Sequence, residues 1–206
     1  MTAGERRMTF PNPLLVVVSG PSGVGKSTIV AELARRHPQV VPIVTATTRR
    51  RRARETDGVH YHFLTPERFA ELRDTGGLLE WAEVHGHLYG TPVDQVRGIL
   101  AAGRDAILTI DPQGARSVRR QVPDALLIFV MPPSLDDLTR RLRSRGSESE
   151  ASIARRRSDA ERWMREASEY DHVIVNETGH AAEAAERIWN VIQAEARRDP
   201  PRRPRV

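Results

Sequence analysis

A chain of 206 residues, with 39% hydrophobic and 29% charged side chains, has the size and composition of one globular domain with insertions, and two full domains would be a tight fit. No apolar run approaches the roughly 20 residues of a membrane-spanning helix, and the five-residue run Leu14 to Val18 is too short for a secretory signal. Cysteine is absent, which excludes disulfides and thiolate chemistry and fits the cytoplasm, while the formal charge of +5 points to anionic partners without choosing among nucleotides, nucleic acid and acidic surfaces.

The first element is Leu14 to Ser19 (LLVVVS), a continuous β-branched run that predicts a strand buried on both faces. It runs into Gly20-Pro21-Ser22-Gly23-Val24-Gly25-Lys26-Ser27-Thr28, the pattern G-x-x-x-x-G-K-[ST], and then into a helix predicted over Ser27 to His37. The glycines let backbone N–H groups converge on phosphate oxygens, and the helix N-terminus adds its positive end. Lys26 reaches the β- and γ-phosphates, and the Ser27 hydroxyl is the candidate Mg²⁺ ligand. A chance glycine turn is the alternative. The flanking strand and helix weigh against it, and so does composition, because Lys26 is the one lysine among 32 basic residues.

From Thr45 to Thr91 the pattern changes to short alternating pieces, an arginine cluster and the aromatics Tyr61, Phe63, Trp81 and Tyr89, which reads as an inserted subdomain over about 45–91. Helices are predicted at Pro66 to Thr75 and Pro92 to Ala102, each with proline in its first turn. Buried strands follow at Ala106 to Ile110 and Ala125 to Met131, then helices at Leu135 to Arg145 and Ser152 to Ser168 around an arginine-rich arm. A last strand at Val173 to Val175 and a helix at Ala181 to Ala196 complete an α/β fold with a parallel sheet. The core is expected over about 12–44, 92–139 and 166–198, the arm or lid over about 140–165, and a disordered proline- and arginine-rich tail over 199–206. The histidines show no ligand spacing, so no zinc site is expected.

The stretch Val44 to Tyr61, with Arg49, Arg50, Arg51, Arg52 and Arg54, taken alone is either a solvated basic loop or an anion clamp. Further on come Glu80, then Tyr89-Gly90-Thr91, then Asp111-Pro112-Gln113-Gly114, and finally Arg141-Leu142-Arg143-Ser144-Arg145-Gly146. In this order the series resembles the guanylate kinases, over about Leu14 to Asn190. Their pattern is a P-loop, TTR-x-P-R-x-G-E-x-x-G-x-x-Y, E…YGT, D-x-Q-G after a strand, and an RL-x-x-RG lid.

The resemblance implies a P-loop core, a GMP-binding subdomain, a helical lid and Mg²⁺-dependent transfer from ATP to GMP, with dGMP left open as an acceptor. It implies that Arg49, Arg52, Tyr61 and Tyr89 hold the acceptor phosphate and that Thr45, Glu80, Thr91 and Asp111 read guanine. Two guanidinium forks and two phenols can fix a phosphate dianion for in-line attack. Arg141, Arg145 and Asn176 are assigned to ATP beside the loop, and Lys26, Arg49, Arg145 and Arg156 are the residues expected nearest the chemistry, the lid arginines neutralising developing charge. Arg141 is also readable as a helix-surface residue and Asn176 as an ordinary turn residue.

Three positions depart from the family pattern. Arg51 and Arg54 stand where proline and glycine are usual, and Thr109 stands where an acidic residue is frequent, which removes a charge beside the metal. Rival readings are a non-catalytic phosphate-binding module, opposed by the intact Lys26 and Ser27; a nucleic-acid binder, opposed by the lack of aromatics within the basic run; and a kinase for another small acceptor. No nucleic-acid or membrane partner is expected.

Overall fold

The computed structural model describes residues 12–84, 86–144 and 149–206. Its centre is β1 (Leu15–Ser19), whose five residues are all buried. Strands β2 (Val40–Pro42), β7 (Asp105–Thr109), β8 (Leu126–Met131) and β9 (His172–Val175) join it in one parallel sheet of order β2-β7-β1-β8-β9. The unbroken apolar run of β1 has a simple cause. Leu14, Val16 and Val18 enter one core cluster and Leu15 and Val17 the other, because alternate side chains of a strand point to opposite faces and both faces are covered. Each such fully buried side chain contributes roughly 1.5–3 kcal/mol relative to exposure.

The first cluster is closed by α1 (Lys26–Arg36), α5 (Leu135–Ser144), α6 (Glu150–Arg165) and α7 (Ala181–Ala196), through Ile29, Leu33, Leu138, Leu142, Ile153 and Ile188. The second is closed by α3 (Val93–Ala101) and α4 (Pro112–Gln121) through Val93, Val96, Ala115 and Val118. The continuous apolar strands and most helices lie where the periodicity puts them. Helix α4 and the short β2 are additions. The arginines and Gly114 hide the narrow Ala115/Val118/Val122 stripe of α4, and three residues of β2 carry too little pattern to register.

A second sheet of order β4-β3-β6-β5 is built from β3 (Ala46–Thr47), β4 (His62–Phe63), β5 (Leu78–Val84) and β6 (His87–Pro92), with α2 (Pro66–Asp74) against β5. Gly90 is required at its centre. A Cβ there would lie 3.0 Å from the Phe69 ring and 3.1 Å from the Glu80 carbonyl, so Phe69 of α2 packs directly on the backbone of β6. Among the described residues no helix is long and apolar enough to cross a membrane.

The expectation of a disordered tail over 199–206 is corrected by the structure. Arg202 is 7% exposed, donates to Glu195 at 2.7 Å and to the Ala125 carbonyl at 3.2 Å, and pairs with Asp171 at 3.2 Å. Val206 packs against the second core cluster, and Arg97 of α3 donates to its carbonyl at 3.0 Å. The tail's composition suggested repulsion and solvation, but its acidic partners, Glu195 at the end of α7 and the more distant Asp171 just before β9, are brought together beside it only by the fold. Arg202→Ala leaves Glu195 with His172 and Asp171 with Arg119, so the expected cost is about 1–3 kcal/mol of unfolding free energy. Urea denaturation measures it, and an unchanged midpoint would show that the tail contributes nothing.

Candidate active site

The turn between β1 and α1 depends on three glycines with positive φ: Gly20 at 142°, Gly23 at 87° and Gly25 at 100°. A Cβ on Gly20 would stand 2.2 Å from the Val130 carbonyl oxygen and one on Gly25 2.6 Å from Nδ2 of Asn176, so the loop is pressed onto its support at both ends. Buried Pro21 and Val24 anchor it, while Ser27 and Thr28 are exposed. Helix α1 starts at Gly25 without a side-chain cap and with no acid in its first turn, whereas α2, α4 and α6 are capped by Thr65, Asp111 and Ser149. Its first N–H groups and its positive dipole end are therefore available to an anion. The Lys26 ammonium donates to the Gly20 and Pro21 carbonyls at 2.6 and 2.9 Å, which aligns it along the loop.

Two residues assigned to ATP stand behind this loop. Asn176 donates its amide to the Val24 carbonyl at 2.7 Å, and Arg141 donates to the Val24 carbonyl at 3.2 Å, to the Asn176 carbonyl at 2.7 Å and to the Thr178 hydroxyl at 2.9 Å. Oδ1 of Asn176 is buried and has no hydrogen-bond partner among the described residues.

In front of the loop opens a cleft of about 1010 Å³. Lys26, Ser27 and Thr28 line its phosphate end, and Thr45, Arg52, Tyr61, Glu80 and Tyr89 come from the second sheet and its loops. Thr109 and Asp111, at the C-terminal end of β7, line the same space, because β7 pairs with β1 in the register Val18↔Thr109. This is where open parallel sheets bind ligands.

Glu80 is 5% exposed and takes a hydrogen bond from the Thr91 hydroxyl at 2.6 Å. Burial pushes its carboxyl up to about 7, the Thr91 hydrogen bond offsets part of the rise, and the charge of Asp111 adds to it. Asp111 uses Oδ1 to cap α4 at the Gly114 N–H, 2.9 Å away, and a Cβ on Gly114 would lie 3.2 Å from Oε2 of Glu80. The two carboxyls thus converge around a glycine that leaves room for both. Thr91 itself is fully buried and acts through Glu80.

Arg52 lines the cleft, but Arg49 is held beside it. Both oxygens of Glu55 receive the Arg49 fork, at 2.7 and 3.1 Å, and Oε2 also receives the Arg52 backbone N–H at 2.8 Å. The Arg49 hydrogen bond and then that of Arg52 N–H hold the Glu55 carboxyl at about 2. The Arg49 guanidinium lies 5.5 Å from the Tyr61 ring centre and 5.7 Å from that of Phe63, and Tyr61 meets Tyr89 edge to face.

On the lid side Arg156 donates to the Ser22 hydroxyl of the loop, while Arg145 lies outside the described residues. Arg155, Asp159 and Trp163 also line the cleft, and none of them was singled out from sequence. Their spacing with Ser152 and Arg156 is that of one helix face, a signal overshadowed by the surrounding charge run.

A loop of this form on a parallel sheet, with a second sheet and its arginine-rich loop across the cleft, defines a P-loop protein of the nucleotide-kinase class. The family model described as guanylate kinase matches residues 12–195. The guanylate kinase of Symbiobacterium thermophilum is 46% identical over 188 residues, 91% of this chain and 88% of that protein, and that of Streptomyces coelicolor is 49% identical over 164 residues, 80% and 83% of the two chains. The crystal structure of guanylate kinase from Anaplasma phagocytophilum superimposes with a TM-score of 0.72 at 31% identity, covering 91% of this chain and 88% of that one. The chain belongs to the guanylate kinase family.

A carboxyl raised to about 7 in the folded state binds more protons there than in the unfolded chain between about pH 4.5 and 7, so Glu80 lowers stability as pH rises through that window. Glu80→Gln, which removes the titration and preserves the shape, should match wild type near pH 4.5 and become more stable by up to about 3 kcal/mol above pH 7. Urea unfolding at the two pH values measures the difference, and a pH-independent offset would contradict the raised carboxyl.

Proposed function

We propose that this chain is a Mg²⁺-dependent guanylate kinase of the cytoplasm that transfers the γ-phosphoryl group of ATP to GMP, giving ADP and GDP. The observation that carries the reading is the meeting, in one cleft, of an uncapped glycine loop bearing Lys26 with the carboxyls of Glu80 and Asp111. Guanine presents N–H donors at N1 and the 2-amino group, which two carboxylates accept. Adenine presents an unprotonated N1 and no 2-amino group, which leaves those buried acceptors unpaired. A cleft of about 1010 Å³ exceeds the needs of one nucleotide and suits two placed end to end.

The reaction is positioning plus electrostatics. An oxygen of the acceptor phosphate forms a bond to the γ-phosphorus as the bond to the β-bridging oxygen breaks in line with it, and ADP leaves. The backbone amides at the α1 N-terminus and Lys26 hold the donor phosphates. Arg52, Tyr61 and Tyr89 hold the acceptor phosphate, with Arg49 turned toward it from its Glu55 pair. Thr45 and Thr91 support the guanine contacts of Glu80 and Asp111. Arg156, already on the loop at Ser22, and Arg145 neutralise the transferring group, and the buried acceptor Oδ1 of the Asn176–Arg141 buttress, unpaired among the described residues, is matched to an amino donor on adenine.

The donor set fits a Mg²⁺ shared with the nucleotide, since Ser27 offers an exposed hydroxyl at the loop and no group of three or more acids or histidines among the described residues holds a metal unaided. Bound there, such an ion would supply charge neutralisation for the nucleotide phosphates. Thr109 occupies the neighbouring strand end, where P-loop enzymes commonly carry an acid; its hydroxyl could orient a water of the bound ion but supplies no charge there.

A coupled ADP-release assay across the nucleoside monophosphates tests the reading: GMP turnover should exceed AMP turnover by roughly 10⁴-fold or more. Comparable AMP activity would leave a P-loop kinase with another acceptor. Lys26→Ala should remain folded and lose most transfer, and retention within about tenfold of wild type would remove the loop from the chemistry. Arg156→Ala should lower kcat far more than it raises KM for GMP, because its contact with the transferring group matters most at the transition state. A rise in KM alone would contradict that role.

A further inference from the structure

Helix α6 runs along one wall of the cleft. At its N-terminal half Arg156 touches Ser22 of the phosphate loop, and just past its C-terminus Glu166 pairs with Arg116 of α4, the helix capped by Asp111. Tyr170 then returns to the root of the loop, its hydroxyl 3.2 Å from that of Ser19. The axis of α6 therefore leads from the phosphate loop toward the α4 end of the cleft, where Glu80 and Asp111 converge. Ser152, Arg156, Asp159 and Trp163 all line the cleft and lie on one face. At 1.5 Å per residue, Asp159 is about 5 Å and Trp163 about 10 Å farther along than Arg156, the span from a phosphate to the sugar and base of its own nucleotide.

From this placement, and resting on the guanylate kinase reading above, we propose that Asp159 and Trp163 form a lid-borne contact to the acceptor nucleoside, with Asp159 accepting a hydrogen bond from the ribose 2′-hydroxyl and selecting GMP over dGMP. The Asp159 side chain is 38% exposed, and its ion pair is to Arg162, a neighbour on its own helix that is itself 59% exposed. An exposed pair of this kind contributes little and leaves the second carboxylate oxygen available. Trp163 is half-buried, with the Arg162 guanidinium 5.8 Å from its ring centre, and it supplies an apolar wall beside the sugar.

The test is the ratio of kcat/KM for GMP to that for dGMP. A hydrogen bond to a charged acceptor predicts a wild-type ratio of about tenfold or more, and Asp159→Ala should bring it to within about threefold of unity. Arg162→Ala should keep the ratio, which separates sugar recognition from a merely structural role of the ion pair. Binding of GMP should also change the intrinsic fluorescence of the wild type and leave that of Trp163→Phe nearly unaltered, with Trp81 and Trp189 still present. A wild-type ratio near one, or a ratio that survives in Asp159→Ala, would overturn the proposal. An enzyme that phosphorylates neither GMP nor dGMP would defeat the kinase reading itself and the sugar contact with it.

Discussion

The constraint on which the rest of the structure depends is the close approach of the backbone between β1 and α1. For several N–H groups to face one phosphate, the chain must turn through left-handed conformations while pressed against its support, and Gly20 and Gly25 are the positions at which a side chain would collide with Val130 and Asn176. Everything around them maintains that turn. The parallel sheet fixes the end of β1, Val24 plugs the loop into the core, and Asn176 and Arg141 bind its carbonyl from behind. The helix that follows begins without a capping side chain or an acid in its first turn, which leaves its first N–H groups open to an anion.

A second cost is accepted at the other end of the cleft. Glu80 is buried beside another acid with one hydroxyl donor, an arrangement that works against folding at neutral pH. Gly114 makes space for it and Thr91 orients it, so the carboxyl is preorganised for a ligand that brings its own N–H groups. The arginine loop between these ends shows the same economy: one carboxylate, Glu55, organises Arg49 and the Arg52 backbone inside a loop that would otherwise repel itself.

Much of this was legible in the sequence where local pattern and mechanism coincide. The LLVVVS run had to be a doubly covered strand, the glycine-lysine pattern had to sit between it and a helix, and Tyr61, Glu80, Tyr89 and Asp111 stood out through their order along the chain. What stayed hidden depends on partners that only the fold brings together. Arg202 reads as a solvated tail residue until Glu195 and Asp171 are placed beside it, and Asp159 and Trp163 read as helix surface until α6 is laid over the cleft. Arg141 and Asn176 illustrate the same limit, since no spacing tells whether a polar group faces a nucleotide or braces the loop that holds it.

The claim that joins these parts is that one cleft holds an adenine nucleotide and a guanine nucleotide in line, phosphate to phosphate. The most direct measurement is calorimetric binding of two bisubstrate ligands, adenosine joined to guanosine through five phosphates and adenosine joined to adenosine through the same bridge. The account predicts that the mixed ligand binds with one-to-one stoichiometry and about a thousandfold or more tighter than the symmetric one, the difference residing in Glu80 and Asp111. Equal affinities, or two copies of the mixed ligand bound per chain, would contradict it.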